Sequence, residues 1–195
     1  HPPIIVAEVG GERLREAQPT VDAMRELSAR TAALAPDTIV LLSPHAPIAR
    51  HQMGISLAAS YRGSLAYFQA GHVRLECAGD QVLAEEIMAR ARQRGLPTIA
   101  TATPAEVVEL DWGSLVPLLY LTSELTKPWR LVLLSFSLLS CEEHQRFGEV
   151  IGRVLIEAPQ RVLYVASGDM SHRLIPGAPA GYDPRGAEFD RAVAD

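Results

Sequence analysis

The chain has 195 residues, 48% of them hydrophobic, enough to bury one substantial core and too apolar for a disordered or fibrous polypeptide. Its formal net charge is −5, and its 18 lysines and arginines are scattered with no basic stripe. That balance argues against nucleic acid or an anionic membrane surface as the main partner.

No apolar run reaches the length of a membrane span and no signal-peptide pattern opens the chain, so a cytoplasmic protein is expected. The chain starts at His1 without a methionine and stops inside the helix-like FDRAVAD. It therefore reads as a single domain over residues 1–195, trimmed at both ends. Cys77 and Cys141 lie far apart without a CxxC partner, which predicts two buried thiols rather than a disulfide.

The opening HPPIIV places His1 against Pro2 and Pro3. Gly10-Gly11 is a turn, since neither GxGxxG nor GxxxxGK[ST] is present. Across 20–34, Val21, Met24, Leu27, Thr31 and Leu34 fall on one face of an amphipathic helix. Pro36-Asp37 ends it, and TIVLLS (38–43) then reads as a fully buried strand. Between Met53 and Cys77, GISLAAS, SLAYFQA and HVRLEC read as shorter strands with no helix between them, an antiparallel edge or a small excursion. Asp80 is the N-cap of a helix striped by Leu83, Ile87 and Ala91 and ended by Gly95 and Pro97. RLVLLSFS (130–137) is a strand. Ser140-Cys141-Glu142-Glu143 is a capping box opening a helix whose inward face is Phe147, Val150, Ile151, Val154 and Leu155. RVLYVAS (161–167) is the next strand. Continuous apolar strands separated by helices predict an α/β protein, a three-layer αβα sandwich on a largely parallel or mixed sheet.

Histidines stand where these strands end. His45 sits in Ser43-Pro44-His45-Ala46-Pro47, where two prolines stiffen the loop. A stiff loop at a strand end suits a ligand side chain. His172 follows Gly168 in Ser167-Gly168-Asp169-Met170-Ser171-His172. It is either an acid–base residue oriented by Asp169 or Ser171, or an exposed neighbour of a helix N-cap. His51 is close enough to the first loop to line the same cleft. His144 is expected to be solvated in the first turn of its helix, and His72 to be a turn residue. Tyr61, Tyr67 and Phe68 are expected in core or edge packing.

HPPIIVAEVG, DTIVLLSPHAP, ELDWGSLVPLLYL and ASGDMSHRL with AGYDPRGAEFD resemble, in order and spacing, the LigB-like family of class III extradiol ring-cleavage dioxygenases. Within it, the chain is similar to the branch related to Memo proteins and associated with AMMECR1 domains. The resemblance implies a non-haem Fe(II) held by two histidines and one carboxylate, with zinc or another divalent metal as substitutes. Carried over by motif, His1 and His45 are the metal ligands and His172 the catalytic acid–base residue. The implied partners are a small aromatic diol and O2, an AMMECR1-like domain, and further copies of the chain in a homo-oligomer.

Two departures follow. The family carboxylate is expected well downstream of the S-H motif, beyond Asp195; within this chain Glu188, in the GAEFD helix, is the nearest candidate and Glu8, expected as a loop residue, the other. Relatives often carry D-H-G where this chain has Asp111-Trp112-Gly113, and tryptophan stacks on rings but transfers no protons. Asp111, Trp112 and His51 are the expected substrate-binding residues. The sequence thus supports an iron-dependent dioxygenase of aromatic compound metabolism. Its rivals are a Memo-like non-catalytic binding or regulatory protein and a zinc-dependent hydrolase using the same histidines.

Overall fold

Residues 2–195 are described by a computed structural model; His1 lies outside the described residues. Strand β1 (Thr38–Leu42) carries no charge, and alternate side chains of a strand face opposite ways. Ile39 and Leu41 enter one core, Val40 enters a second, and all three are fully buried. A strand apolar on both faces demands cover on both.

Sheet pairing supplies the neighbours. β1 lies parallel between β7 (Arg130–Ser135) and β8 (Val162–Ala166), with Thr38 level with Arg130 and Val162. The far side of β7 is shared by two branches. At its C-terminal end β2 (Met53–Ser56) pairs antiparallel through Gly54 and Ile55, and β5 (Thr98–Ala102) extends that branch in parallel. At its N-terminal end β4 (Ala70–Gly79) pairs parallel through Ala78 and Gly79, followed by β3 (Ser60–Leu65) and β6 (Val107–Glu109). The result is an eight-stranded mixed sheet. The antiparallel expectation for 53–77 holds for β3 with β4, but β2 is fully buried and central to its branch rather than an excursion. His72 lies within β4 instead of a turn.

Helices α2 (Gln18–Leu34) and α4 (Trp112–Leu121) cover the Ile39/Leu41 face; α3 (Gln81–Gln93) and α5 (Cys141–Glu157) cover the Val40 face. This is the expected three-layer αβα sandwich. Asp80 caps α3 by accepting from Leu83 N, and the buried Thr38 Oγ1 donates to the same carboxylate at 2.6 Å. The Ser140–Glu143 capping box forms as expected at α5. Outside these layers the described residues form α1 (Ala7–Gly10), α6 (Arg185–Ala194) and 3-10 turns at Pro3–Ile5, Gly11–Ala17 and Ala66–Phe68. Among the described residues no helix is long and apolar enough to cross a membrane.

Three expectations are corrected. In α2 the buried positions are Val21, Ser28 and Thr31, whereas Leu27 and Leu34 are 44% and 58% exposed. The small Ser28 lets α2 approach the end of α4, where its hydroxyl lies 2.8 Å from that of Ser123; this rotates the two leucines outward. Cys141 is exposed at the first turn of α5, while Cys77 is buried and its thiol is pushed up to about 12 by that burial. Tyr61 is fully buried as expected, but Tyr67 is 84% exposed.

Candidate functional site

Because β1 and β8 are parallel and in register, Leu42 level with Ala166, their C-terminal ends release two loops side by side. Ser167 N donates to Leu42 O at 2.9 Å, which joins the loops at their roots. Such joined strand ends are where an open α/β sheet forms its ligand crevice. The loops carry His45 and His172.

His45 is held from several directions. Its backbone N–H donates to Ser43 Oγ, and Ser114 Oγ donates to the same oxygen at 2.9 Å. Asp111 caps α4 by accepting from Ser114 N at 2.8 Å, so the helix start, the cap and the His45 loop form one hydrogen-bonded frame. Gly113 gives the imidazole its place: a Cβ there would stand 2.4 Å from the ring's Cγ and Cδ2. The half-buried ring faces a carboxylate on each side, Asp111 Oδ2 at 3.6 Å from Nδ1 and Asp169 Oδ2 at 3.5 Å from Nε2.

His172 meets the other oxygen of the same carboxylate, its Nε2 lying 3.8 Å from Asp169 Oδ1. Its backbone has φ 54°, the left-handed region that costs a β-carbon-bearing residue free energy and recurs at functional sites. The loop is carried by α6: Ser171 N donates to Asp190 Oδ1 at 2.7 Å, and Gly186 packs beneath Ser171 and Arg173. Ser171 Oγ accepts from Arg173 N, so of the two residues expected to orient His172 it is Asp169 that faces the ring. His172 is exposed, as the alternative expects, but no helix begins at Asp169 or Ser171.

An aromatic cluster adjoins His45. Trp112, 42% exposed, sets its indole edge-on to the imidazole at 5.9 Å between centroids. Tyr67 stacks with Trp112 at 6.1 Å and 17°, and Phe68 meets it edge-on at 5.7 Å. Of the expected core or edge packing, Tyr67 shows no core burial: it is exposed just after β3 and packs on Trp112 and Phe68. Pairing brings the two segments together: β3 runs parallel to β6 with Ser60 level with Val107, and Leu110 N donates to Arg62 O just before α4 begins.

The remaining candidates lie elsewhere. His51 is exposed in the turn before β2 and enters none of the ion pairs or ring contacts of this cluster among the described residues. His144 is not simply solvated: its Nδ1 donates to Ser140 O and its Nε2 accepts from Ser137 N, so it ties down the start of α5. Glu8 is exposed on α1, where its charge acts on Tyr120, and Glu188 is exposed on α6. An apolar depression of about 590 Å³ between α2 and β8, lined by Met24, Leu27, Leu34, Leu163 and Tyr164, contains none of the histidines or carboxylates of the cluster.

For a metal ion the donor set is nitrogen and oxygen. Two donors each about 2.1 Å from one ion stand roughly 3.0–3.4 Å apart, depending on the coordination angle. His45 Nε2 and Asp169 Oδ2, at 3.5 Å, match that spacing after a small shift. Asp111 on the opposite ring nitrogen occupies the place of the outer partner that orients a ligating histidine. No group of three or more His, Cys, Asp or Glu among the described residues is arranged to hold a metal, and the other expected histidine ligand, His1, lies outside them.

Comparison with known proteins adds to this geometry. The family model described as the catalytic LigB subunit of aromatic ring-opening dioxygenase matches residues 1–195. The Clostridium acetobutylicum protein CA_C1420 is 30% identical over 99% of the chain, and the chain spans 42% of that protein's length. An Escherichia coli protein, 3,4-dihydroxyphenylacetate 2,3-dioxygenase, is 25% identical over 98% of the chain, which covers 71% of it.

Proposed function

Because the chain belongs to the family of catalytic LigB subunits of aromatic ring-opening dioxygenases, we propose that it is a non-haem Fe(II)-dependent extradiol dioxygenase acting on a catechol-like diol with O2. The observation that carries this reading is the carboxylate of Asp169, which stands between His45 and His172 at 3.5 and 3.8 Å where β1 and β8 end. One imidazole is locked in a frame and the other sits on a separate loop, the division expected of a metal ligand and a base.

His1 and His45 would hold the metal, and among the described residues Asp169 is the carboxylate that faces His45 Nε2. When bound, Fe(II) supplies adjacent coordination positions where a diol and O2 meet and electron density passes between them. The chain's own residues do the rest. Asp111 fixes the His45 ring through Nδ1. His172 takes a phenolic proton at Nε2, and Asp169 stabilises the imidazolium that results. Trp112 and its aromatic neighbours exclude water from one side of the ring. Opening the ring next to the diol gives a semialdehyde-type acid.

Anaerobic reconstitution with Fe(II), metal analysis, and a catechol panel followed by ring-fission absorbance in air test the proposal. Retained iron and a ring-opened product are expected; a polypeptide that retains no iron and forms no product overturns it. Trp112, in place of a histidine able to move protons, supports a second reading as a Memo-like binding protein that keeps the cleft. Capture of an AMMECR1-like domain regardless of metal, with no turnover, would favour that reading.

A further inference from the structure

We propose that Trp112, Tyr67 and Phe68 form a wall that accepts an apolar aryl extension of the diol, so that the preferred substrate is a catechol bearing a second uncharged ring and no carboxylate. This deepens the ring-cleavage reading and rests on it for the position of the diol beside His45.

Three observations carry the inference. The first is that the wall is built rather than incidental. Trp112 is the first residue of α4, and its backbone is fixed by the Asp111 cap and by the buried run Gly113–Leu118 behind it. Its indole therefore leans over His45 from a rigid base. The second is that the aromatic surface faces outward. Tyr67, 84% exposed, stacks nearly parallel to Trp112. It follows β3 on a single turn of 3-10 helix closed by Gln69 at φ 61°. Two large rings left open together beside a polar cluster gain little from the core and offer a face for another ring.

The third is the sign of the charge. The ionisable groups seen facing His45 are the carboxylates of Asp111 and Asp169, which would balance a bound Fe(II) and offer a substrate carboxylate no cationic partner. The basic residue of the His172 loop, Arg173, acts on Asp183 and reaches toward Gly181 instead. An uncharged aryl group needs no such partner and gains the stack.

Anaerobic titration calorimetry of the Fe(II)-loaded protein with catechol, 2,3-dihydroxybiphenyl and 3,4-dihydroxyphenylacetate tests the wall without turnover. 2,3-Dihydroxybiphenyl is expected to bind about tenfold tighter than either of the others, the worth of one good aromatic contact. Tyr67→Ala, on an exposed turn, and Trp112→Ala are each expected to reduce that preference to about twofold while iron content stays the same. In a Trp129→Phe background, where Trp112 is the remaining tryptophan, its emission should respond to the biphenyl diol. Equal binding of all three diols, tightest binding of the carboxylated one, no binding of any, or a preference that survives both alanine variants would overturn the inference. The two proposals fail separately. Selective binding with no ring-opened product in air sinks the dioxygenase reading alone, and ring opening without selectivity sinks the wall alone.

Discussion

Gly113→Ala probes the frame around His45 with a single methyl group. The added Cβ would lie 2.4 Å from Cγ and Cδ2 of the imidazole and 2.8 Å from Nδ1. Carbon atoms rest about 3.5–4.0 Å apart, so the ring or the helix must retreat by about 1 Å. Retreat is opposed on both sides, since Ser43 and Ser114 tie the loop to α4 and Pro44 and Pro47 stiffen it. Overpacking of this kind costs about 1–3 kcal/mol. Alanine's better helix propensity returns up to about 1 kcal/mol. The net loss of stability is therefore expected to be modest, roughly 0–3 kcal/mol, and the variant should fold.

Function should suffer far more than stability, because a displacement near 1 Å at a reacting centre costs on the order of 10²-fold in rate. Chelator competition for Fe(II), ring-fission absorbance and thermal unfolding, taken together, separate the two effects. Gly148→Ala and Gly152→Ala in α5 are the controls, as a Cβ at either meets nothing within 4 Å. Each should stabilise the protein by up to about 1 kcal/mol and leave iron binding alone. A folded Gly113→Ala protein that retains iron and turns over like wild type would refute the claim that His45 is held in place by this contact.

Other perturbations separate roles that the site combines. Asp111→Ser keeps a good helix cap but removes the carboxylate from His45 Nδ1, so stability should change little while metal affinity falls roughly 10–100-fold; unchanged affinity would deny Asp111 its orienting role. His172→Asn keeps a side chain that tolerates positive φ, so the melting temperature should hold while turnover drops about 10²–10⁴-fold; wild-type turnover would remove His172 as the base. A thiol reagent at neutral pH should label Cys141 in the native protein and reach Cys77 only on unfolding, because burial keeps that thiol protonated; two thiols reacting natively would contradict the packing. Hydrogen bonds from Ser140 hold the Glu143 carboxyl below its ordinary value. Its stabilising effect is therefore complete above the unfolded-state value and lost as pH falls through the folded one. Glu143→Gln should lower the melting temperature at pH 7, with the gap to wild type closing in acid; a constant gap would deny the capping box a charged acceptor.

The sequence revealed most where one local signal sufficed. β1 was legible from an uncharged β-branched run, and α3 and α5 from their caps and stripes, because each is specified within its own residues. The strand-end positions of His45 and His172 followed from the same reading. α2 was right as a helix but wrong in its inward face, since Ser28 and not Leu27 lies against the neighbouring helix, a choice made by tertiary packing. α4 carries no readable periodicity: Gly113–Leu118 are buried all round, and Pro117 stands inside the helix. The meeting of Tyr67 with Trp112 depends on the β3–β6 register between segments far apart in sequence, and no local pattern encodes that register. Asp190, which holds the His172 loop through Ser171, left no signal beyond its place in the helical GAEFD run.

Trp112 and Asp169 are best understood together. A histidine at the first position of α4 would put a second proton carrier beside His45, whereas indole supplies only apolar surface and a fixed N–H. On the proposed reading, proton transfer in the cluster then falls to His172, whose ring meets Asp169 Oδ1 while Oδ2 faces His45. One carboxylate consequently serves both imidazoles, and a charge placed near either ring changes what the other experiences. A substrate carboxylate would compete directly with that shared group, while an uncharged ring against Trp112 and Tyr67 would leave it undisturbed. On the proposed reading, an aromatic wall beside a cluster that relies on a shared carboxylate imposes one requirement on a substrate: apart from the diol that His172 would deprotonate, it should bind by its faces and carry no charge.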